Sequence, residues 1–214
     1  MEFMDAVRAR RSIRRFAPKP VPEDALADIL EAGRLAPSSG GVNSGYFGVI
    51  RDESTKRALT ALAGDQEWIA TAPVIIALCS RLSPDAATRA PDDQFTAINT
   101  ARFGAELLTY LNAYPHRTAM RVYADNAFPL LPGEHLALAA ASHGLSSCWI
   151  GHLDTRRASE LLGLPEDVVC LYLLPIGYAD ETPADRRLRP IDECVFHDRW
   201  PPDTTLDGAR GPRA

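Results

Sequence analysis

Apolar residues recur along the chain at two spacings, one typical of helices and one typical of strands. Leu26, Ile29 and Leu30 share one face of a predicted helix over residues 21–36, which Pro37 ends. Residues 73–80 are almost entirely apolar, which is typical of a strand covered on both faces. The same reasoning predicts helices over 3–10, 53–63, 92–111, 135–141 and 155–162, and strands over 46–51, 146–150 and 168–176.

Two of the predicted helices and the C-terminal tail carry unusual patterns. The helix over 92–111 has a narrow apolar stripe, formed by Phe95, Ile98, Ala101, Ala105 and Leu108. The helix over 135–141 is apolar almost all round, which predicts deep burial or a place in a subunit interface. From Ala179 onward the sequence shows no period but is too apolar for simple disorder. We expect such a tail to lie across another surface, such as a partner subunit.

Composition indicates a globular protein with one core. The 214 residues suffice for a single domain, and contents of 46% hydrophobic and 24% charged residues are typical of such domains. There is no apolar run long enough to span a membrane and no apolar stretch of a signal peptide near residue 1, so we expect a cytoplasmic protein. The net charge of -5 argues against a nucleic-acid partner.

The cysteines point to free thiols. Cys79, Cys148 and Cys170 lie in apolar stretches, and Cys194 is far from them, so the sequence has no Cys-x-x-Cys pair. This pattern favours buried thiols in a reducing compartment over a disulfide framework or a zinc site. We therefore expect no bound metal.

Arginines cluster near the start of this acidic chain. Five of the first fifteen residues are Arg, at positions 8, 10, 11, 14 and 15. Cations gathered against the overall charge indicate a local anion site, because the guanidinium fork suits phosphate, and Ser12 adds a hydroxyl donor. The alternative is that these arginines only offset the dipole of the first helix. The segment alone leaves both interpretations open.

The sequence shows no other marked catalytic centre. It contains no His-Glu-x-x-His, no Gly-x-Ser-x-Gly and no Walker-type phosphate loop. The five histidines show no metal-ligand spacing, and His143, directly before Gly144, is typical of a helix C-terminus. If the protein is an enzyme, a bound cofactor is expected to carry the chemistry.

Three blocks of sequence resemble the nitroreductase family of FMN flavoproteins. The first is Arg-Arg-Ser-Ile-Arg-Arg-Phe at 10–16, followed by a helix ending in Ala-Pro-Ser-Ser at 36–39. The second is Gly-Leu-Ser-Ser-Cys-Trp-Ile-Gly at 144–151, and the third is Leu-Pro-Ile-Gly-Tyr at 174–178, before an arginine-rich stretch. The blocks follow the family's order, and the resemblance covers roughly residues 4–196.

The resemblance implies a fold, a cofactor and an assembly. The fold would be α+β, a single domain over 1–214 in which helices flank a central mixed or antiparallel sheet, with a tail from about 179 to 214 that wraps the partner subunit. The protein would be a homodimer that binds FMN. NADH or NADPH would reduce the flavin, which would then reduce a nitroaromatic, quinone or similar electron-poor acceptor at the same site.

The resemblance also assigns contacts to the phosphate and the pyrimidine edge of the flavin. Arg10, Ser12 and Arg14 match the N-terminal contacts, with Arg11 between them. Arg10 is expected to hold the FMN phosphate, and Arg14 to lie nearer the pyrimidine edge. A late phosphate contact is expected from the arginine-rich stretch, and the choice between Arg187 and Arg189 stays open.

Two further segments match parts of the family that border the flavin ring. The second subunit is expected to lay Pro37, Ser38 and Ser39 over the flavin. Ile150, Gly151 and His152 match the turn whose backbone N–H faces the reactive flavin nitrogen N5.

The sequence departs from the family at both segments. The family's Asn in the loop after the second helix matches Asn43 only if two extra residues are allowed. His152 stands where Gly is usual, and its side chain could either enter the site as a proton donor or turn to solvent.

Three rival functions remain. A Pro-Ser-Ser-Gly-Gly run is similar to the branch of the family that oxidises azoline rings. One rival is an FMN-dependent oxidase or dehydrogenase that acts on a dedicated biosynthetic substrate without NAD(P)H. The protein could also be a flavin-binding protein without catalysis. An anion-binding interaction module without flavin would use the same arginines.

Overall fold

The computed structural model describes residues 1–38, 45–90, 92–183, 185–186 and 188–200, and for residues 86, 95 and 124 the backbone alone. Residues Met1–Pro183 form one compact unit, and Ala184–Ala214 form a second that is described by itself below. Among the described residues, no helix combines the length and the apolar character that a membrane crossing requires.

Among the described residues, a four-stranded antiparallel sheet forms the centre of the first unit. Its strands are β1 (Gly45–Ile50), β2 (Val74–Arg81), β3 (Ser146–Ser147) and β4 (Val168–Gly177), in the spatial order β1-β2-β4-β3. Each neighbouring pair is antiparallel. All residues of β2 except Arg81 are buried, which confirms the predicted strand covered on both faces.

Helices cover both faces of this sheet. On one face α2 (Glu23–Arg34) packs against α7 (Leu130–Ser142), and Leu26, Ile29 and Leu136 join the sheet's side chains in one core cluster. On the other face α3 (Glu53–Leu62) lies beside α8 (Thr155–Leu161), and a second cluster there includes Leu59 and Ala158. The eight α-helices of the described residues are α1 (Phe3–Ala9), α2 (Glu23–Arg34), α3 (Glu53–Leu62), α4 (Gln94–Phe103), α5 (Ala105–Ala113), α6 (Arg117–Asp125), α7 (Leu130–Ser142) and α8 (Thr155–Leu161). The predicted α+β fold, with helices flanking a central sheet, is confirmed.

Side-chain caps fix the starts of the two helices on the second face. Asp52 accepts the Thr55 backbone N–H at 2.8 Å before α3, and Asp154 accepts the Arg157 backbone N–H at 3.0 Å before α8. Hydrogen bonds from the hydroxyls of Ser54 and Thr55, together with that from the Thr55 N–H, lower the pKa of Asp52 to about 2.

The prediction of one long helix over 92–111 is wrong. The helical path breaks at Gly104, where φ is 78° and ψ is 152°, a conformation open essentially to glycine alone. Two helices result, and a third, α6, follows that the sequence reading missed. The apolar pattern predicted a continuous helix because the spacing of apolar residues does not reveal a single residue with a positive φ. Ile98 of the predicted stripe is 44% exposed in this chain.

The predicted strand over 146–150 is shorter than expected. Only Ser146–Ser147 form β3, after which Ile150 makes an isolated bridge to Leu173. Between them the Cys148 N–H donates to the Pro175 carbonyl at 3.3 Å. Proline has no N–H to complete that pair, so the ladder is interrupted there.

The apolar helix α7 is buried as predicted. Leu136 and Ala140 are fully buried, and α7 packs along α2. At its N-terminal end Leu130 and Leu131 remain 41% and 55% exposed. One helix therefore serves both as a core element and as part of the surface.

The second unit carries apolar side chains without burying them. Its described part contains a 3-10 turn at Ile191–Glu193 and an edge-to-face pair of Phe196 and Trp200, with ring centroids 5.4 Å apart. Leu188 and Ile191 are more than 70% exposed. Cys194 is an exposed free thiol, whereas Cys79, Cys148 and Cys170 are free and buried, as predicted for those three.

Candidate functional site

The arginine-rich segment runs in extended form beside β3. The Ile13 N–H donates to the Ser147 carbonyl at 3.1 Å, and Ser12 forms a parallel bridge with Ser147. Ile13 is only 1% exposed, so it anchors the segment in the core. Because side chains alternate along an extended chain, burying Ile13 turns Ser12 and Arg14 outward.

The buried thiol of Cys148 lies among these groups. Burial raises the pKa of Cys148, and the nearby Arg14, Ser12 and Arg10 partly oppose that shift. Three predicted flavin contacts therefore lie close to the block that contains Cys148. Arg11, between them, is half-buried.

Arg10 is held by a carboxylate that the sequence reading did not single out. Its Nε lies 3.4 Å from Oε1 of Glu134, on the first turns of α7. The other carboxylate oxygen of Glu134 accepts the indole N–H of Trp149 at 3.3 Å. Glu134 was missed because a single acid in an apolar helix has no motif, although its position two residues after Pro132 places it near the helix start.

Arg14 is surrounded differently. Its backbone N–H donates to Oε1 of Glu181 at 2.5 Å, while its side chain is exposed. Arg15, which follows, pairs with Asp180 at the surface. Residues 180–181 therefore fasten the end of the arginine-rich segment.

The predicted turn at 150–152 begins directly beyond the Cys148 block. Ile150 is buried and exchanges two backbone hydrogen bonds with Leu173, at 2.9 and 3.1 Å. Gly151 is exposed, and a Cβ on it would lie 3.5 Å from Tyr172 Cε1. The N–H groups of Gly151 and His152 donate to no acceptor within the described part of the chain. Free donors at a fixed turn can hold an acceptor atom of a ligand.

The His152 side chain is exposed and lies against the turn that follows α3. A Cβ on Gly64 would come within 2.8 Å of His152 Cε1. Gly64 and Asp65 both have left-handed backbone, with φ of 72° and 53°. This turn is a second neighbour of the site that the sequence reading missed, and the Gly-Asp pair after the predicted helix was the signal for it.

Pro37 and Ser38 lie elsewhere, on the wall of a cavity of about 500 Å³. Its walls come from the end of α2, β1, the end of β2 and the α6–α7 junction, and include Phe47, Leu82, Phe128 and Leu131. The described residues of its wall do not include Arg10, Arg11 or Arg14. Within one chain Arg10, Ser12 and Arg14 thus lie near Cys148, two residues before the 150–152 turn, whereas Pro37 and Ser38 line the cavity.

Three other predicted contacts, Ser39, Asn43 and Arg187, fall outside the described residues. Arg189 is exposed in the second unit. The choice between Arg187 and Arg189 therefore stays a prediction.

Hydrogen bonds of two carboxylates, Asp85 and Asp125, connect the segment that follows β2 and borders the cavity to α6. Arg117 of α6 forms hydrogen bonds with both carboxylate oxygens of Asp85, which hold the pKa of Asp85 at about 2. Asp125 is buried and accepts the Ser83 N–H at 2.5 Å and its hydroxyl at 3.0 Å. Burial raises the pKa of Asp125 in spite of these bonds. The rim of the cavity is thus held by polar contacts from α6.

No group of three or more His, Cys, Asp or Glu side chains in the described ranges is arranged to hold a metal ion. The donors that converge are cationic and neutral: guanidinium groups, a serine hydroxyl and backbone N–H groups. Such a set suits a ligand with phosphate and ring acceptors.

Comparison with known proteins gives a consistent result. A sequence model of the nitroreductase family matches residues 7–178. The NADH dehydrogenase of Thermus thermophilus is 31% identical over 198 residues, which cover 92% of this chain and 96% of that protein. A Bacillus subtilis protein named FMN reductase (NAD(P)H) is 34% identical over 203 residues, which cover 92% of this chain and 73% of that protein.

A solved structure shares the fold. The hypothetical oxidoreductase YcnD of Bacillus subtilis matches with a TM-score of 0.72 at 25% identity, covering 97% of this chain and 77% of that one.

Proposed function

The chain belongs to the nitroreductase family, and we propose that it is an FMN-dependent oxidoreductase that takes electrons from NADH or NADPH. Its acceptors would be nitroaromatics, quinones or similar electron-poor compounds. The observation that carries the proposal is the convergence of Arg10, Ser12 and Arg14 on the edge of the sheet that leads into the 150–152 turn.

The donors at this edge fit FMN. In an acidic protein, Arg10 and Arg14 of one short segment lie near Cys148, directly after β3, and the terminal nitrogens of Arg10 donate no hydrogen bond to a described residue. Those nitrogens form the fork that grips a phosphate through two parallel hydrogen bonds. Bound FMN would supply the two-electron chemistry, accepting a hydride from the nicotinamide and passing it to the acceptor.

The protein's part in that chemistry is to bind and orient. Arg10 and Ser12 would hold the phosphate end, and Arg14 would place a positive charge near the pyrimidine edge, where it favours the reduced form. The free N–H groups of Gly151 and His152 would fix the ring edge, since Ile150 is locked in the sheet. Either Arg187 or Arg189 would complete the phosphate contacts. No acid or base of the protein is required at the reacting atoms.

We propose that the functional unit is a cytoplasmic homodimer. Pro37 and Ser38 line a cavity whose described wall includes none of Arg10, Arg11 and Arg14, which supports a site completed by a second chain. Helix α5 buries none of its residues, and Leu107 and Tyr110 are 46% and 66% exposed, so this helix surface is available for a partner. The second unit, which exposes Leu188 and Ile191, would wrap that partner as a tail of a single domain.

The cavity beside Pro37 would then receive the apolar part of the acceptor. Its volume of about 500 Å³ is within the range of small-molecule pockets, roughly 300–1,000 Å³. The aromatic rings of Phe47 and Phe128 suit a flat aromatic compound.

The proposal is tested by titrating the purified full-length protein with FMN and with riboflavin, and following flavin fluorescence and absorbance. We expect saturable FMN binding that is tighter than riboflavin binding, because the phosphate has its own arginine site. A colourless protein with no affinity for either flavin would instead favour an anion-binding module.

A further inference from the structure

We propose that Glu134 is a positioning residue for Arg10. It also contacts Trp149, next to the 150–152 turn that would bind the flavin ring, and so links the phosphate end of the proposed site to its ring end. The proposal rests on the FMN-binding function proposed above. It concerns a residue on α7, outside the segments that match the flavin contacts of the family.

Glu134 contacts Arg10 at Nε and not through a hydrogen bond to its terminal nitrogens. Oε1 of Glu134 faces Nε of Arg10, on the side of the group, at 3.4 Å. The two terminal nitrogens, which make a bidentate contact with phosphate, donate no hydrogen bond to a described residue. The ion pair therefore draws the Nε side of the guanidinium toward Glu134, and no hydrogen bond within the described residues occupies the fork.

Glu134 is itself held from the other side. Its Oε2 accepts the indole N–H of Trp149, and the Trp149 ring meets Tyr172 edge to face at 5.6 Å between centroids. A Cβ on Gly133 would lie 2.2 Å from Trp149 Cη2, so the indole ring fits here only because residue 133 has no side chain. The ring, and with it the carboxylate, is thus fixed by close packing.

This arrangement joins two parts of the proposed site. Trp149 immediately precedes Ile150 and Gly151, whose turn would contact the flavin ring, and Arg10 would contact the phosphate. One carboxylate contacts both segments. The side chain of Arg10 is 26% exposed, and holding it in one orientation before the ligand binds lowers the entropy that binding must remove.

The negative charge of Glu134 also repels a phosphate, so the two effects have opposite signs. Orientation should prevail, because Glu134 is 44% exposed and its charge is screened by solvent, whereas its contacts with Arg10 and Trp149 are direct. Removing the carboxylate should then weaken the phosphate contribution to binding.

The test compares dissociation constants for FMN and riboflavin, whose ratio isolates the phosphate. Arg10→Ala should reduce the wild-type preference for FMN by about tenfold or more. Glu134→Ala should reduce it about three- to tenfold, and Glu134→Gln, which keeps an acceptor of the same reach, should fall between Glu134→Ala and wild type. The double variant Arg10→Ala/Glu134→Ala should be no worse than Arg10→Ala alone, because Glu134 acts through Arg10. Glu160→Ala, which removes the surface pair with Arg156, is the matched control and should leave the ratio unchanged.

Three results would overturn the role of Glu134. One is an unchanged FMN preference in Glu134→Ala. Another is an equal loss of affinity for FMN and riboflavin, which would mean a general loss of structure. The third is an increased FMN preference in both Glu134→Ala and Glu134→Gln, which would mean that the repulsion between Glu134 and the phosphate dominates. A wild-type protein that binds neither flavin would contradict the proposed function instead.

Discussion

Arg8 and Arg10 lie two positions apart at the end of α1, but the side chain of Arg8 faces solvent and that of Arg10 is mostly buried. The side chain of Arg8 is 70% exposed and pairs with Asp5 one turn earlier, which is an ordinary surface contact. The side chain of Arg10 is 26% exposed and turns toward α7 and Trp149. At the scale of single residues, this difference separates an arginine of the proposed site from one that only offsets the helix dipole.

Arg10→Ala should weaken FMN binding by about 10- to 150-fold. The reason is that a phosphate would lose a charge-assisted hydrogen-bond donor worth about 1.5–3 kcal/mol. Arg8→Ala is the matched control and should change the dissociation constant less than about twofold. Equal affinity of the two variants, measured by fluorescence titration, would remove the basis for the phosphate site.

His152→Gly should retain flavin and most of the reduction by nicotinamide. The imidazole lies against Gly64, and the contact proposed for the flavin ring comes from backbone N–H groups. The measurement is the rate at which NADH or NADPH bleaches the bound flavin. If the variant keeps FMN but is no longer reduced, His152 has a chemical role.

At the scale of elements, the contacts between α6 and the segment after β2 depend on charge. Asp85 is paired with Arg117, and its side chain is 20% exposed. Its pKa of about 2 in the folded protein lies below the ordinary value of a carboxyl group, so the ionised form stabilises the fold. Stability from this pair is therefore complete at neutral pH and is lost as the pH falls from about 4 toward 2.

Asp85→Asn should lower the free energy of unfolding by about 1–2 kcal/mol at pH 7 and by roughly half as much at pH 3. Urea unfolding at both pH values measures the difference. Glu31→Gln, which breaks an exposed pair with Arg34 on α2, is the control and should cost less than about 0.5 kcal/mol. A cost of Asp85→Asn that does not change with pH would contradict the assignment.

The sequence predicted the elements that apolar periodicity defines, but not those that depend on a single backbone angle or on strand pairing. The apolar periods of α2, β2 and α7 decide their burial, and those elements were found. The break at Gly104 depends on one backbone angle, and the end of β3 depends on the missing N–H of Pro175 across the sheet, which only pairing reveals. Likewise, the motif predicted Arg10, but Glu134 becomes a candidate only once α7 lies against Trp149.

At the scale of the whole molecule, the described residues leave apolar surface uncovered on α5 and in the second unit, besides the start of α7. Helix α5 has no buried residue, and Leu188 and Ile191 of the second unit are 75% and 78% exposed. Exposed apolar surface of this extent is typical of an interface. It fits the homodimer proposed above.

We expect sedimentation of the full-length protein at micromolar concentration to give twice the chain mass of 23.3 kDa. Tyr110→Glu on α5 should weaken the dimer and flavin binding together, because each site would need both chains. Glu31→Gln on α2 is again the control. A stable monomer that retains flavin would contradict the shared site.

The most direct test of the central claim is anaerobic reduction of the FMN-loaded protein by NADH and by NADPH, followed by the absorption of the flavin. The proposed function predicts that at least one nicotinamide bleaches the flavin rapidly, and that an added quinone or nitroaromatic restores the oxidised spectrum. A protein that binds FMN but is bleached only slowly by both nicotinamides would contradict it. The bound flavin would then serve another electron donor or no catalysis at all.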